Sequence, residues 1–139
     1  MTRKPADAAD LTVAVVGAGA MGRGIAQVAA TGGARVLLHD ARPGAVAEAR
    51  AFVADMLERA GARGKMTAEA AAEAAARVTL AGSLADLAPA DVVIEAIVED
   101  IDAKQALFSE LERIVAPDAI LASNTSSLSI TRIAAGCSN

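Results

Sequence analysis

Short apolar runs alternate with longer amphipathic stretches along this chain. The runs are rich in Val, Ile and Leu, a composition typical of parallel strands that are buried on both faces. They predict five strands, over 11–16, 34–40, 78–81, 91–98 and 119–122. In the stretches between them, apolar positions recur every three or four residues, which indicates helices. This alternation predicts an α/β fold with a doubly wound, mostly parallel sheet and helices on both faces.

The stretch between the second and third predicted strands holds two helices instead of one. The first is predicted over about 45–60, and the second, rich in alanine, over about 68–77 with Thr67 as its N-cap. A basic loop at 61–65 joins them. The sheet is therefore expected to carry a helical hairpin inserted after its second strand. The remaining helices are predicted over 21–31, 101–115 and 128–135.

Length and composition restrict the class of protein. The 139 residues suit one domain, expected at 11–139 after a flexible polar segment at 1–10. Hydrophobic residues make up 54% of the chain, which excludes general disorder, and no apolar run approaches the roughly 20 residues that span a bilayer. The net charge is −4, and Trp and Tyr are absent. Neither a nucleic acid nor a membrane is therefore an expected partner.

Cysteine usage bears on compartment and on metal chemistry. Cys137 is the only cysteine, which excludes an intrachain disulfide and any multi-cysteine metal site. A single thiol suits a reducing cytoplasm, where we expect the protein to be located. No cluster of histidines or acidic residues stands out, and no metal site is predicted.

A glycine motif follows the first predicted strand and opens the first predicted helix. Gly17-Ala-Gly19-Ala-Met-Gly22 fits the pattern G-x-G-x-x-G, and Asp40 ends the second predicted strand 21 residues after Gly19. Together these features predict a Rossmann-type dinucleotide site. Gly17 would make the tight turn, Gly19 would let the backbone approach a pyrophosphate, and Gly22 would let helix and strand pack closely.

The start of the first helix and the end of the second strand complete this predicted site. Amides at Ala20 and Met21 would face the phosphates. Asp40 would accept hydrogen bonds from the adenosine ribose and repel a 2′-phosphate, which favours NAD over NADP. Arg42 could partly neutralise a 2′-phosphate, so strict NAD preference stays open. The alternatives are a glycine-rich turn without a ligand and a solvated carboxylate at Asp40.

The single histidine, His39, adjoins Asp40 at the adenosine end of this predicted site. A general base has to reach the proton that it removes. We therefore interpret His39 as a strand residue without a catalytic role.

Three segments resemble the N-terminal NAD-binding domain of the 3-hydroxyacyl-CoA dehydrogenase family. They are Val-Val-Gly-Ala-Gly-Ala-Met-Gly-Arg-Gly-Ile-Ala-Gln at 15–27, Asp-Val-Val-Ile-Glu-Ala-Ile-Val-Glu at 91–99 and Ala-Ser-Asn-Thr-Ser-Ser-Leu at 122–128. The first is shared by many dehydrogenases, and the other two together are more specific. The predicted hairpin also lies where that family inserts one. The resemblance implies oxidation of an (S)-3-hydroxyacyl-CoA to the 3-oxoacyl-CoA with NAD, as in fatty acid β-oxidation.

The resemblance also implies roles for four further residues. Glu99 and Lys104 would lie along the nicotinamide half of the cofactor, and Asn124 beside the nicotinamide. The Ser126 hydroxyl would contact both the cofactor and the 3-oxygen of the substrate, so Ser126 and Asn124 are the catalytic candidates. The alternatives are a solvated Glu99–Lys104 pair at a helix start and Ser126 as a helix cap.

The basic loop of the hairpin is a weaker candidate site. Arg63 and Lys65 could meet the phosphates of CoA, or the loop could simply be solvated.

The family pattern extends beyond the matching segments. Its members continue with a strand carrying His-Phe-Phe-Asn-Pro, whose histidine is the general base, then a glutamate that orients it and a helical second domain. None of these occurs among the 139 residues. We therefore expect this chain to bind NAD without turnover, and to self-associate through an open sheet edge beyond 119–122. The alternatives are a stand-alone dinucleotide-binding or interaction module and part of another β-hydroxyacid dehydrogenase.

Overall fold

The computed structural model describes residues 7–138, in which five parallel strands form one sheet. The strands are β1 (Thr12–Val16), β2 (Arg35–His39), β3 (Val78–Leu80), β4 (Val92–Glu95) and β5 (Ile120–Ser123). The helices are α1 (Ala20–Thr31), α2 (Ala45–Ala62), α3 (Ala68–Ala76), α4 (Ile101–Ile114) and α5 (Ile130–Ala134). Two 3-10 turns span Ala8–Asp10 and Leu84–Leu87. The predicted Rossmann-type fold, with its hairpin α2–α3 after the second strand, is confirmed.

The order of strands across the sheet is β3-β2-β1-β4-β5. β2 and β3 lie on one side of β1 in chain order. The chain then crosses to the other side of β1, where it forms β4 and β5. Ligands of open α/β sheets bind where the order reverses, beyond the carboxyl ends of the strands. Four strand ends form one row across this edge, because His39 pairs with Val16, Val16 with Glu95, and Glu95 with Ser123.

The core lies on both faces of the sheet, because alternate residues of β1 point to opposite sides. Val13 and Val15 pack in the cluster with α1, α2 and α3, whereas Ala14 and Val16 pack in the cluster with α4 and α5. All five residues of β1 are buried. This confirms that the first apolar run is a strand buried on both faces.

The hairpin packs through small residues. Thr67 caps α3 as predicted, and its Oγ1 accepts a hydrogen bond from the Ala70 amide at 3.0 Å. Ala71 is buried in the interface, and a Cβ added at Gly61 would lie 3.5 Å from that of Ala71. The alanine-rich sequence therefore lets α2 and α3 approach closely.

Three predicted boundaries are wrong by two residues or more. α2 ends at Ala62 instead of about 60, so the loop at 61–65 is shorter than predicted. β4 ends at Glu95 instead of 98, and the last helix begins at Ile130 instead of 128. The Ala96 amide still donates to the Val16 carbonyl at 2.8 Å, but the Ala96 carbonyl lies against Gly17, and the strand does not continue to 98. Ser129 is the N-cap of α5, because its Oγ accepts from the Arg132 amide at 3.4 Å.

Two further expectations concern flexibility of the terminal segment 1–10 and the absence of a membrane-spanning segment. Of the segment 1–10, residues 1–6 lie outside the described part, and Ala8–Asp10 form a turn that the Asp7 side chain caps. The expected flexibility of 1–10 stays a prediction.

No helix within 7–138 is long and apolar enough to cross a membrane.

Candidate cofactor-binding site

A cleft of about 720 Å³ lies at the carboxyl edge of the sheet, over the reversal between β1 and β4. The glycine turn and the start of α1 form one side of it. Asp40 and Arg42 line one end, and Ile97, Val98 and Leu107 give it an apolar wall. Its volume lies in the range typical of small-molecule and cofactor sites.

The three motif glycines meet different surroundings. Gly17 has φ +106°, and a Cβ there would lie 2.4 Å from the Ala96 carbonyl oxygen. A Cβ on Gly22 would lie 1.6 Å from the Gly17 oxygen, so only glycine lets α1 pack on the turn. A Cβ on Gly19 would meet nothing within 4 Å. Gly19 therefore borders open space in the cleft, where a ligand can approach its backbone.

The amino end of α1 opens into the same cleft. Ala20 and Met21 line the cleft, and the N-cap Gly19 supplies no side chain to cap the first amides. No acidic residue occupies the first turn of α1. The first amides of a helix have no partner within the helix and carry partial positive charge, so this end can hold an anionic group such as a pyrophosphate.

Asp40 is fixed to both the glycine turn and Arg42. Its Oδ2 accepts a hydrogen bond from the Ala18 amide at 2.8 Å, and its Oδ1 accepts one from the Arg42 amide at 2.8 Å. The Arg42 guanidinium lies 3.1 Å from Oδ2. Burial by itself raises the pKa of Asp40, but the hydrogen bonds from Arg42 and Ala18 outweigh burial and lower the pKa to about 2. Asp40 is therefore charged at neutral pH.

His39 also lines the cleft, beside Asp40. Its Nδ1 lies 2.9 Å from the carbonyl oxygen of Ala81. Because a carbonyl only accepts, Nδ1 carries the proton in this hydrogen bond. The structure thus places His39 at the end of β2, as the sequence predicts.

A second group of the predicted residues lies beyond Val98, outside the cleft lining. Lys104 sits in the first turn of α4 with its side chain fully buried. Its Nζ donates to Glu95 Oε2 at 2.6 Å and lies 3.1 Å from Glu99 Oε1. The alternative of a solvated Glu99–Lys104 pair is therefore wrong for Lys104, because its ammonium is enclosed between two carboxylates.

Glu99 connects Lys104 to the loop after β5. Its Oε2 accepts hydrogen bonds from Thr125 Oγ1 and Ser127 Oγ, each at 2.8 Å. The hydrogen bonds from Thr125, Ser127 and Lys104, in that order of size, lower the pKa of Glu99 to about 2. Glu99 is therefore an anion that holds the loop.

Asn124 and Ser126 lie on this loop, and both are exposed. The Asn124 amide donates to the Glu95 carbonyl at 2.8 Å, so the loop begins where β4 ends. The alternative of Ser126 as a helix cap is wrong, because Ser129 caps α5. The structure therefore brings Glu99, Lys104, Asn124 and Ser126 into one group at the ends of β4 and β5.

Arg63 and Lys65 lie elsewhere. Both are exposed around the turn between α2 and α3. Helix α2 starts beside Arg42, and its 18 residues give it a length of about 27 Å. The structure therefore does not bring these two basic residues to the cleft.

Glu95 is the residue of this region that sequence analysis missed. It ends β4 with no exposed surface and accepts hydrogen bonds from Lys104, the Ile97 amide and Ser123. The available signal was a carboxylate inside the most apolar strand run of the chain. Acidic residues are almost never fully buried unless they are paired.

Comparison with known proteins identifies the family. Residues 12–139 match the family described as 3-hydroxyacyl-CoA dehydrogenase, NAD binding domain. The chain belongs to this family. The resemblance noted in the three sequence segments is thereby confirmed, and NAD is the cofactor of this domain. A helix terminus for a pyrophosphate and a charged Asp40 for a ribose fit that cofactor.

Individual relatives agree with this assignment. The 3-hydroxyadipyl-CoA dehydrogenase of Escherichia coli K12 is 44% identical over 128 residues, covering 92% of this chain and 27% of that protein. The 3-hydroxybutyryl-CoA dehydrogenase of Mycobacterium tuberculosis H37Rv is 44% identical over 88% of this chain and 43% of that protein. The solved 3-hydroxybutyryl-CoA dehydrogenase of E. coli K12 superimposes with a TM-score of 0.90 at 43% identity, over 93% of this chain and 27% of that one. The chain thus spans less than half the length of these relatives.

Proposed function

We propose that this NAD-binding domain holds one NAD molecule across the reversal between β1 and β4. The adenosine ribose lies on Asp40, the pyrophosphate on the glycine turn and the start of α1, and the nicotinamide half extends over β4 and β5. The observation that carries this proposal is the placement of Asp40 in the cleft and of Glu99 in the group at the ends of β4 and β5. Asp40 and Glu99 lie on opposite sides of the β1–β4 reversal, at one edge of the sheet. An extended dinucleotide bound at the glycine turn between them can reach both sides.

The reaction that this domain serves is the oxidation of an (S)-3-hydroxyacyl-CoA to the 3-oxoacyl-CoA. NAD, when bound, accepts the hydride from carbon 3. The exposed Ser126 hydroxyl donates a hydrogen bond to the 3-oxygen, and Asn124 lies beside the nicotinamide. The hydroxyl proton requires a general base. His39 ends β2, and β1 and β4 separate it from β5 and the loop that carries Ser126, so His39 is not placed to take this proton.

We therefore propose that the 139-residue chain binds NAD but does not turn over acyl-CoA. The test is NADH oxidation with acetoacetyl-CoA by the purified chain. Negligible oxidation is expected, and oxidation at a rate typical of a dehydrogenase would contradict this part of the proposal.

Binding is tested by titrating NADH fluorescence with the purified chain. Saturable enhancement is expected, and ADP-ribose should compete for the same site. No enhancement, with calorimetry also showing no heat of binding, would overturn the proposed function.

Arg63 and Lys65 are proposed contacts for the phosphates of CoA. Both are exposed and cationic, so either can reach an anion in solution. Replacing both by Gln should weaken the binding of free CoA and leave NADH binding unchanged. Equal CoA affinity in the variant would contradict the assignment.

We also propose a cytoplasmic protein that self-associates through β5. The one cysteine, Cys137, is free, which suits a reducing compartment. β5 is an edge strand, and its Ile120 is 56% exposed. Exposed apolar edge strands favour pairing with a second copy. Light scattering should show a dimer that Ile120→Lys weakens, and a strict monomer at high concentration would contradict this proposal.

A further inference from the structure

Glu95 is the innermost member of a hydrogen-bonded series that runs from the sheet to the loop after β5. Its carboxylate, at the last position of β4, has no exposed surface. Oε2 accepts from Lys104 Nζ at 2.6 Å and from the Ile97 amide at 2.7 Å, while Oε1 accepts from Ser123. The carboxylate thereby joins β4, α4 and β5 at one point.

The series continues outward through Lys104. The ammonium that Glu95 holds also lies 3.1 Å from Glu99 Oε1, and the Glu99 side chain is 39% exposed. Glu99 in turn accepts hydrogen bonds from Thr125 and Ser127. The order is therefore buried carboxylate, buried ammonium, partly exposed carboxylate and loop.

Glu95 restrains that loop at two places. Its carbonyl oxygen accepts from the Asn124 amide at 2.8 Å, which fixes the start of the loop. Its carboxylate fixes Lys104, whose Nζ lies 3.1 Å from Glu99 Oε1. The other oxygen of the same Glu99 carboxylate, Oε2, accepts from Thr125 and Ser127. Asn124 and Ser126 alternate with these two anchored residues and remain exposed.

Stability alone does not account for a buried ion pair at this position. Taking two charges out of water costs free energy, and apolar residues of similar volume are often as stable or more stable. The neighbouring residues Val93 and Phe108 show that this part of the molecule accommodates apolar side chains. The Glu95–Lys104 pair does hold the Lys104 ammonium in one position, and through it the Glu99 carboxylate, which apolar packing would not do.

We propose that Glu95 is a positioning residue for the nicotinamide half of the cofactor site. It acts through Lys104 and Glu99 on the loop that carries Asn124 and Ser126, and it does not touch the ligand. The inference rests on the proposed binding of NAD across β1 and β4. Because the series lies at the ends of β4 and β5 and at the start of α4, Glu95 should influence only the half of the dinucleotide that lies there.

The test compares two ligands on the same protein sample. NADH occupies both halves of the site, whereas ADP ends at the pyrophosphate and lacks both the nicotinamide and its ribose. Glu95→Gln keeps the size of the side chain and removes its charge. We expect the dissociation constant of NADH, measured by calorimetry, to rise roughly tenfold, the scale expected when displacement of the loop costs the ligand one charge-assisted hydrogen bond. The dissociation constant of ADP should stay within about twofold, since its contacts lie at a distance from Glu95.

Two further variants separate positioning from folding. Glu95→Asp keeps the charge but withdraws the carboxylate from Lys104, so it should fold and still lose NADH selectively, even where Glu95→Gln fails to fold. Glu58→Gln changes an exposed carboxylate on α2 and should alter neither affinity.

The outcomes distinguish this inference from the proposed function. Equal weakening of both ligands by Glu95→Asp would show a purely structural role and overturn the inference, as would no weakening of either. In both cases NADH binding by the unaltered chain would leave the proposed function standing. Absence of NADH binding by the unaltered chain would overturn both.

Discussion

Lys104 Nζ lies 2.6 Å from Glu95 Oε2, and neither side chain has any exposed surface. Removing one partner of a buried pair leaves the other charge without compensation, and the usual cost is about 3–5 kcal/mol. Lys104→Met should therefore lower the free energy of unfolding by about 3 kcal/mol, measured by guanidinium titration and circular dichroism.

The double variant Glu95→Gln with Lys104→Met removes both charges and should recover most of that loss. Lys65→Met, at an exposed position, should stay within about 0.5 kcal/mol of the unaltered chain. A loss for Lys104→Met as small as that of Lys65→Met would show that the ion pair contributes nothing to stability.

Cofactor selectivity should depend on the Asp40 charge. Asp40→Asn removes the anion that repels a 2′-phosphate and releases the Arg42 guanidinium that it now binds. The ratio of NADPH to NADH affinity should rise by about tenfold or more, measured by fluorescence titration of both nucleotides.

Asp118→Asn, in an exposed turn, is the matched control and should leave the ratio unchanged. If Asp40→Asn also left the ratio unchanged, the carboxylate would not lie at the adenosine ribose.

Alanine variants of two serines near α5 should distinguish a residue that caps the helix from one that contacts the ligand. Ser129→Ala removes the side-chain cap of α5 and should cost about 0.5–1 kcal/mol of unfolding free energy. Ser126→Ala should change stability by less than about 0.5 kcal/mol, because its side chain is exposed, yet weaken NADH binding. The reverse pattern in urea titrations and NADH titrations would contradict both assignments.

Acid should destabilise the domain through Asp40 and Glu99. Their pKa values fall from 3.8 and 4.5 to about 2 in the folded chain. The folded state therefore binds fewer protons than the unfolded state between these values. The resulting stability is fully present above about pH 5 and is lost as the pH falls toward 2. Unfolding free energies measured across this range should show the decline.

The variants Asp40→Asn and Glu99→Gln serve as controls for the acid effect. Each removes one titrating group, so each should flatten the decline between pH 5 and 2 while lowering stability at neutral pH. An unaltered slope in both would assign the acid sensitivity to other carboxylates.

The sequence predicts the architecture well, because strand burial and helix periodicity leave clear signals. The β1 run, the glycine motif and Asp40 are local features, and each lies where its spacing requires. The capping role of Thr67 is predicted equally well, since it depends only on the next three residues.

The nicotinamide side is less predictable, because it depends on contacts between distant segments. Lys104 is polar and follows a helix start, so its sequence environment resembles that of a solvated residue. Only the meeting of β4, α4 and the loop after β5 encloses it between Glu95 and Glu99. The end of β4 also involves distant segments, since the Ala96 carbonyl lies against Gly17 in the turn after β1.

The three motif glycines are crowded to different degrees, so folding and ligand binding constrain different positions of the same motif. Gly17 and Gly22 are confined by the protein's own backbone, whereas Gly19 faces open space. A library of variants selected only for folding should keep glycine at 17 and 22 and accept other small residues at 19. Selection of the same library for cofactor binding as well should restore glycine at 19. The middle glycine is therefore required by the ligand, and the outer two glycines are required by the fold.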